Sequence, residues 1–211
     1  MELLILFGVL AGTYMMAIAK RVTSLVRSFS TQSLFLAAFV FLSGFREHNF
    51  ELFLVAALLF VVKGIAIPYS LERILKKIKV GENIGMFLNS QLSLLVVLLF
   101  TWLSWGFGRM LVPEQGSVEA FRLTASFSVI LTGIFIMMTR MKAVTQVVGI
   151  LVMENGVFLL GACVTGGMPF FVEIALFFDV FISVLILNVF VYRINKMFTH
   201  IDVDKLNSLK G

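Results

Sequence analysis

Residues 92–105 read LSLLVVLLFTWLSW, and the whole stretch 87–107 is apolar apart from a few small or neutral polar groups. In lipid every backbone N–H and C=O must be satisfied internally, which leaves helices or closed barrels. Barrel strands alternate apolar and polar side chains, and this run does not alternate. It is long enough for a helix that crosses a hydrocarbon core of about 30 Å, which takes roughly 20 residues.

Six further stretches have the same character, at about 3–19, 30–45, 50–71, 119–139, 143–164 and 169–192. The 30–45 stretch is short and carries Ser, Thr and Gln, so its limits are the least defined. Residues 1–19 are expected to be a retained span. Glu2 stands where a cleaved leader carries basic residues, and the apolar run ends in Lys20-Arg21. The expected fold is therefore all-α and integral to the membrane, with about seven transmembrane helices.

Composition agrees. The chain has 211 residues, 60% hydrophobic and 14% charged, against roughly 45–50% and about 25% in soluble domains. A single cysteine, Cys163, and two histidines, His48 and His200, leave no ligand set for an iron–sulfur cluster, a Cys-based zinc site or a haem pair. No redox centre is expected in this chain.

The basic residues set an expected orientation. Lys20, Arg21 and Arg27 follow the first stretch; Arg73, Lys76, Lys77 and Lys79 follow the third. Arg140 and Lys142 follow the fifth, and Arg193, Lys196, Lys205 and Lys210 follow the seventh. Only Arg46, Arg109 and Arg122 belong to the opposite side. Thirteen against three places the N-terminus outside and the C-terminus in the cytoplasm. The net charge of +5 is explained by this arrangement, with no part for nucleic acid.

A three-helix pattern recurs. Val22-Thr23 matches Val144-Thr145, Glu51 matches Glu173, and Arg73-Ile74 matches Arg193-Ile194 at nearly constant offset. This suggests a parallel repeat with one linking helix. Its parts are a unit over 1–79, a linking helix and outer loop over 80–118, a second unit over 119–198 and a cytoplasmic tail over 199–211. Parallel repeats of this kind occur in transporters.

Three ionisable groups lie deep in the apolar stretches, where an ionised side chain costs about 2.5–3.5 kcal/mol on insertion scales. Glu154 is about 16 Å into the sixth stretch and Asp179 about 15 Å into the seventh, at 1.5 Å per residue. Lys63 lies just past the middle of the third, with Gly64 beside it and Pro68 one turn on. Each carboxyl is either interhelical glue, held neutral and hydrogen-bonded, or a proton-handling group; a neutral polar residue supplies glue at lower cost. Lys63 either pairs with one of the acids or snorkels toward an interface. Glu51 and Glu173 are expected near headgroup water, and Gln146 and Asn188 in helix packing. Gly149 and Gly156 flank Glu154 and permit close helix approach. Trp102 and Trp105 fit an interfacial belt at the outer face.

The stretch 147–161, VVGILVMENGVFLLG, precedes a span with a central acid and a basic exit, FVYRINKMFTHIDVDKLNSLKG. Over about residues 119–211 this resembles the small K-type subunit of bacterial complex I and the small subunit of multisubunit cation/proton antiporters. With its extra N-terminal helices the whole chain resembles component E of hydrogenase-4-type membrane-bound hydrogenases. The K-type subunit carries one membrane glutamate in its second helix and one in its third, both on the proton-transfer axis. The resemblance puts Asp179 at the second. At the first, aligning Asn155 on the family's Asn puts Leu151 where Glu is expected, and Glu154 stands one turn later on nearly the same face. Lys63 lies outside the matching region and takes no role from it.

The resemblance implies a non-catalytic membrane-arm subunit, multi-pass in a prokaryotic inner membrane, beside large antiporter-like subunits. It places nickel–iron and iron–sulfur centres in those partners. The alternatives are a stand-alone transporter of three-plus-one-plus-three design and a purely structural assembly subunit.

Overall fold

The computed structural model describes residues 1–78, 85, 87–112 and 117–164. Among them the fold is all-helical: α1 (Glu2–Ile18), α2 (Val22–Glu47), α3 (Phe50–Leu59), a π-helical turn (Phe60–Ala66), α4 (Ile67–Ile78), α5 (Ser90–Leu111), α6 (Ser117–Thr139) and α7 (Ala143–Val164). Five helical stretches are long and apolar enough to cross a bilayer: Val22–Glu47, Phe50–Arg73, Ser90–Leu111, Val118–Thr139 and Val144–Cys163. α1 is a shorter apolar helix of 17 residues, about 26 Å at 1.5 Å per residue. The expected seventh span, 169–192, lies outside the described residues, and with it the Glu173 and Arg193 halves of the repeat.

The second helix is longer than the 30–45 expected from its apolar run. α2 begins at Val22, so Arg27 sits on its surface, 3.5 Å from Glu72, rather than in a connecting segment. Its polar residues do not break the helix because the bundle satisfies them. Ser28, Gln32 and Ser33 are all buried. α2 ends at His48, which takes the left-handed conformation (φ 49°) that closes a helix, and Asn49 Oδ1 then accepts the Glu51 N–H to start α3. α2 and α3 are thus a tight hairpin.

The third expected span is one continuous rod with a wide turn in it. Pro68 has no N–H to give to the carbonyl of Gly64 four residues back. Upstream of it the ladder shifts to i→i−5, with the Ile67 N–H bonded to the Val62 carbonyl. The buried positions Leu59, Lys63, Ile67, Leu71 and Leu75 recur every four residues. An α-helix repeats every 3.6 residues or so, and the wider turn makes up the difference, so that Lys63 stays on the inward face.

α6 and α7 form the tightest pair, joined by the short turn Arg140–Met141–Lys142. A Cβ on Gly133 would stand 2.5 Å from the Met153 nitrogen, one on Gly149 2.9 Å from the Gly133 carbonyl, and one on Gly156 2.7 Å from the Ile130 nitrogen. The glycines flanking Glu154 therefore bring two backbones into contact. α1 packs against α2, α5 and α6, and α2 also against α7. α5 is peripheral: 17% of its apolar window is buried, against 56% for α2 and for α6. Trp102 and Trp105 are exposed on it.

The two ends of the bundle differ in charge. At one end Glu2 bonds both Arg46 and Arg122, tying α1, α2 and α6. At the other, Lys20 and Arg21 follow the C-terminus of α1, and Arg140 donates to its last carbonyls.

Candidate functional site: a buried ion pair braced by amides

Among the described residues, an ammonium and a carboxylate lie side by side in the interior. Lys63, 1% exposed, projects from the π-helical turn with Nζ 3.6 Å from Glu154 Oε1. The same Nζ donates to Asn155 Oδ1 at 3.0 Å. Residues 92 positions apart in sequence meet because the wide turn faces α7 at its midpoint. Glu154 is the twelfth of the 22 residues of α7 and is itself buried.

Asn155 is held from the opposite side. Its Nδ2 donates to Gln32 Oε1 and to Ser33 Oγ, both at 3.2 Å. Gln32 Nε2 in turn donates to Thr13 Oγ1 at 2.8 Å, and the Thr13 hydroxyl is anchored to the Val9 carbonyl. One polar chain thus crosses from the α3–α4 rod to α7, then to α2, then to α1. Every amide in it has partners, as buried polar groups require. A second chain, Tyr14–Thr101–Ser128, links α1, α5 and α6 by bonds of 3.0 and 2.7 Å.

The chemistry of the two parts differs. Lys63 and Glu154 are ionisable side chains of opposite sign. Asn155 and Gln32 are neutral amides, which donate and accept hydrogen bonds without taking up a proton. The amides therefore hold the charged pair in place by hydrogen bonds.

Of the sequence-derived candidates, Lys63 and Glu154 are together, and Asp179 lies outside the described residues. Glu51 is exposed at the start of α3. Gln146, expected in helix packing, is instead exposed and donates to the Arg140 carbonyl at 3.3 Å. Arg140, counted among the loop cations, is not a loop residue in water. It is 1% exposed, and its Nη2 donates to the carbonyls of Ala17 (2.7 Å) and Met16 (3.4 Å) at the end of α1.

Sequence reasoning passed over Gln32, Ser33 and Thr13. The signal was present in outline, since the polar triad Ser30, Gln32 and Ser33 interrupts an apolar stretch and Thr13 is an isolated hydroxyl in another. What was missing was the register that turns them toward α7. Among the described residues no group of three or more His, Cys, Asp and Glu is placed to hold a metal ion.

Comparison with known proteins gives one relative of nearly the same length. The chain is 26% identical to the uncharacterized protein Rv0085 of Mycobacterium tuberculosis over 204 residues, 96% of this chain and 93% of that protein. No family model matches the chain. No solved structure matches it. Among the described residues the chain is all-helical, with five helical stretches long and apolar enough to cross a membrane, and its similarity to Rv0085 runs over nearly the whole of both sequences.

Proposed function

We propose that the chain is a non-catalytic membrane-arm subunit of a hydrogenase-4-like or complex I-like respiratory assembly in a prokaryotic cell membrane. In this reading Glu154 and Lys63, with Asp179, serve a proton (or Na⁺) path coupled to electron transfer in partner subunits. The observation that carries the reading is the Lys63–Glu154 contact inside the membrane-spanning bundle. Two ionisable groups buried there are costly, and the Gln32–Asn155–Ser33 amide and hydroxyl contacts already join the helices without charge.

The geometry supports a simple coupling. A proton arriving at Glu154 neutralises the carboxylate and weakens its attraction for the Lys63 ammonium, which still donates to Asn155. A change of charge on a neighbouring subunit then biases which of the two groups keeps the proton, because strongly interacting sites titrate as a pair. Nickel, iron and any quinone or formate chemistry belong to those neighbours.

The test is a mild-detergent pull-down of the tagged chain from its native membranes, with mass spectrometry and counts of nickel and iron. Large antiporter-like subunits with both metals support the hydrogenase form, and iron without nickel the complex I-like form. A chain recovered alone and metal-free overturns the reading and favours a stand-alone transporter. In the intact assembly, Glu154→Gln should abolish proton translocation in the fraction of the complex that still assembles.

A further inference from the structure

The carbonyl that Pro68 cannot serve is taken by another helix. Ser30 Oγ on α2 donates to the Gly64 carbonyl oxygen at 2.6 Å. Gly64 adjoins Lys63, lies within the π-helical turn, and cannot carry a side chain without meeting Leu34, whose Cδ2 would stand 2.9 Å from the added Cβ. A peptide carbonyl left unpaired in a buried, apolar setting costs about 1–3 kcal/mol. In a regular α-turn this carbonyl would still lack a donor, because Pro68 stands four residues on, so the donor from α2 is what ties this stretch of the rod, and with it the direction of Lys63, to the bundle.

We infer that Ser30 is a positioning residue for Lys63: by holding the Gly64 carbonyl it fixes the π-helical turn that aims the ammonium at Glu154. The same helix then sets both partners of the pair. Ser30 holds the turn that carries Lys63, while Gln32 and Ser33, two and three residues on, hold Asn155 beside Glu154. The relevance of this to proton movement rests on the function proposed above, but the geometry is testable without it.

The experiment uses the full-length chain in lipid and a membrane-permeant carbodiimide. The reagent activates the Glu154 carboxyl, the Lys63 amine displaces it as a urea, and an amide bond between the two side chains forms with net loss of water. Mass spectrometry of the digest reads the Lys63–Glu154 cross-link. In Ser30→Ala the cross-linked fraction should fall about fivefold, the population change governed by one net hydrogen bond of about 1 kcal/mol. Ser30→Thr keeps the hydroxyl and should restore the yield. Ser30→Cys, of similar shape but with a weak donor, should fall between. Thr31→Ala, an exposed hydroxyl next door that bonds only within α2, is the control.

A yield in Ser30→Ala and Ser30→Cys equal to that of Thr31→Ala overturns the inference, as does no cross-link in the parent chain. A Ser30-dependent cross-link in a chain whose Glu154→Gln variant still translocates protons upholds the positioning role and defeats the proposed function. The two failures are thereby separable.

Discussion

Arg140 Nη2 lies 2.7 Å from the carbonyl oxygen of Ala17, so the cation that follows α6 closes the C-terminus of α1. The last carbonyls of a helix lack intrahelical donors and carry the negative end of its dipole. α1 itself has no basic residue in its last turn, and the residue that serves this end lies 123 positions away. Arg140→Ala is expected to destabilise the protein by about 1.5–3 kcal/mol, the range for a hydrogen bond from a charged donor. A thermal melt in lipid or detergent checks it; a change below about 0.5 kcal/mol, typical of surface positions, would mean that the contact is incidental.

Removing one member of the central pair should be worse than removing both. Lys63→Met leaves a buried carboxylate without its ammonium at 3.6 Å, and breaking a buried pair costs about 3–5 kcal/mol. The double variant Lys63→Met/Glu154→Gln should recover most of that loss in melting temperature. Additive losses would show that the two side chains do not interact across the gap.

Glycines in this chain divide by what faces them. Gly133→Ala puts a methyl group 2.5 Å from the backbone nitrogen of Met153 and should force α6 and α7 apart, at a cost of about 1–3 kcal/mol. Gly106, on the exposed face of α5, has nothing within 4 Å of an added Cβ. Gly106→Ala should be stabilising by about 0.4–1 kcal/mol. Paired melts of the two variants decide whether the contact between α6 and α7 is as close as described.

The cluster at the opposite end predicts an acid response. Burial alone would raise the Glu2 carboxyl, but hydrogen bonds and charge from Arg122 and Arg46 outweigh it and hold the group below its ordinary 4.5. A carboxyl depressed in the folded state stabilises above its unfolded pKa and loses that contribution as pH falls through the folded one. Glu2→Gln should therefore melt below the parent at neutral pH, with the gap closing on acidification from about pH 5 to pH 3. A gap that is constant with pH would remove the triad from the account.

Helix existence was legible because an uninterrupted apolar run in a chain this poor in charge admits little else. The limits of α2 were not, because Arg27 and Ser28 read as a connecting segment, whereas the helix runs through both and buries Ser28. Glu154 and Lys63 were legible as costly residues at depth, whereas the wide turn that Pro68 imposes beside Lys63 emerged only from the structure. The meeting of the two side chains was not legible, since it depends on a carbonyl of Gly64 being held by Ser30 from another helix. Arg140 shows the reverse failure. A cation directly after an apolar helix reads as a solvated flank, and nothing local reveals that another helix ends against it. The charge count that set the expected orientation treated it as one more loop residue.

The glycine contacts between α6 and α7 have a mechanical consequence. Two helices whose backbones approach this closely at Gly133, Gly149 and Gly156 have little room to slide past one another, and Glu154 and Asn155 ride on that pair. The rod carrying Lys63 is different: its hydrogen-bond ladder changes register at one turn, the place where a helix bends or rotates most readily. If charge movement alters the distance between ammonium and carboxylate, the compliance lies on the lysine side, and the carboxylate is the fixed reference against which that displacement is registered.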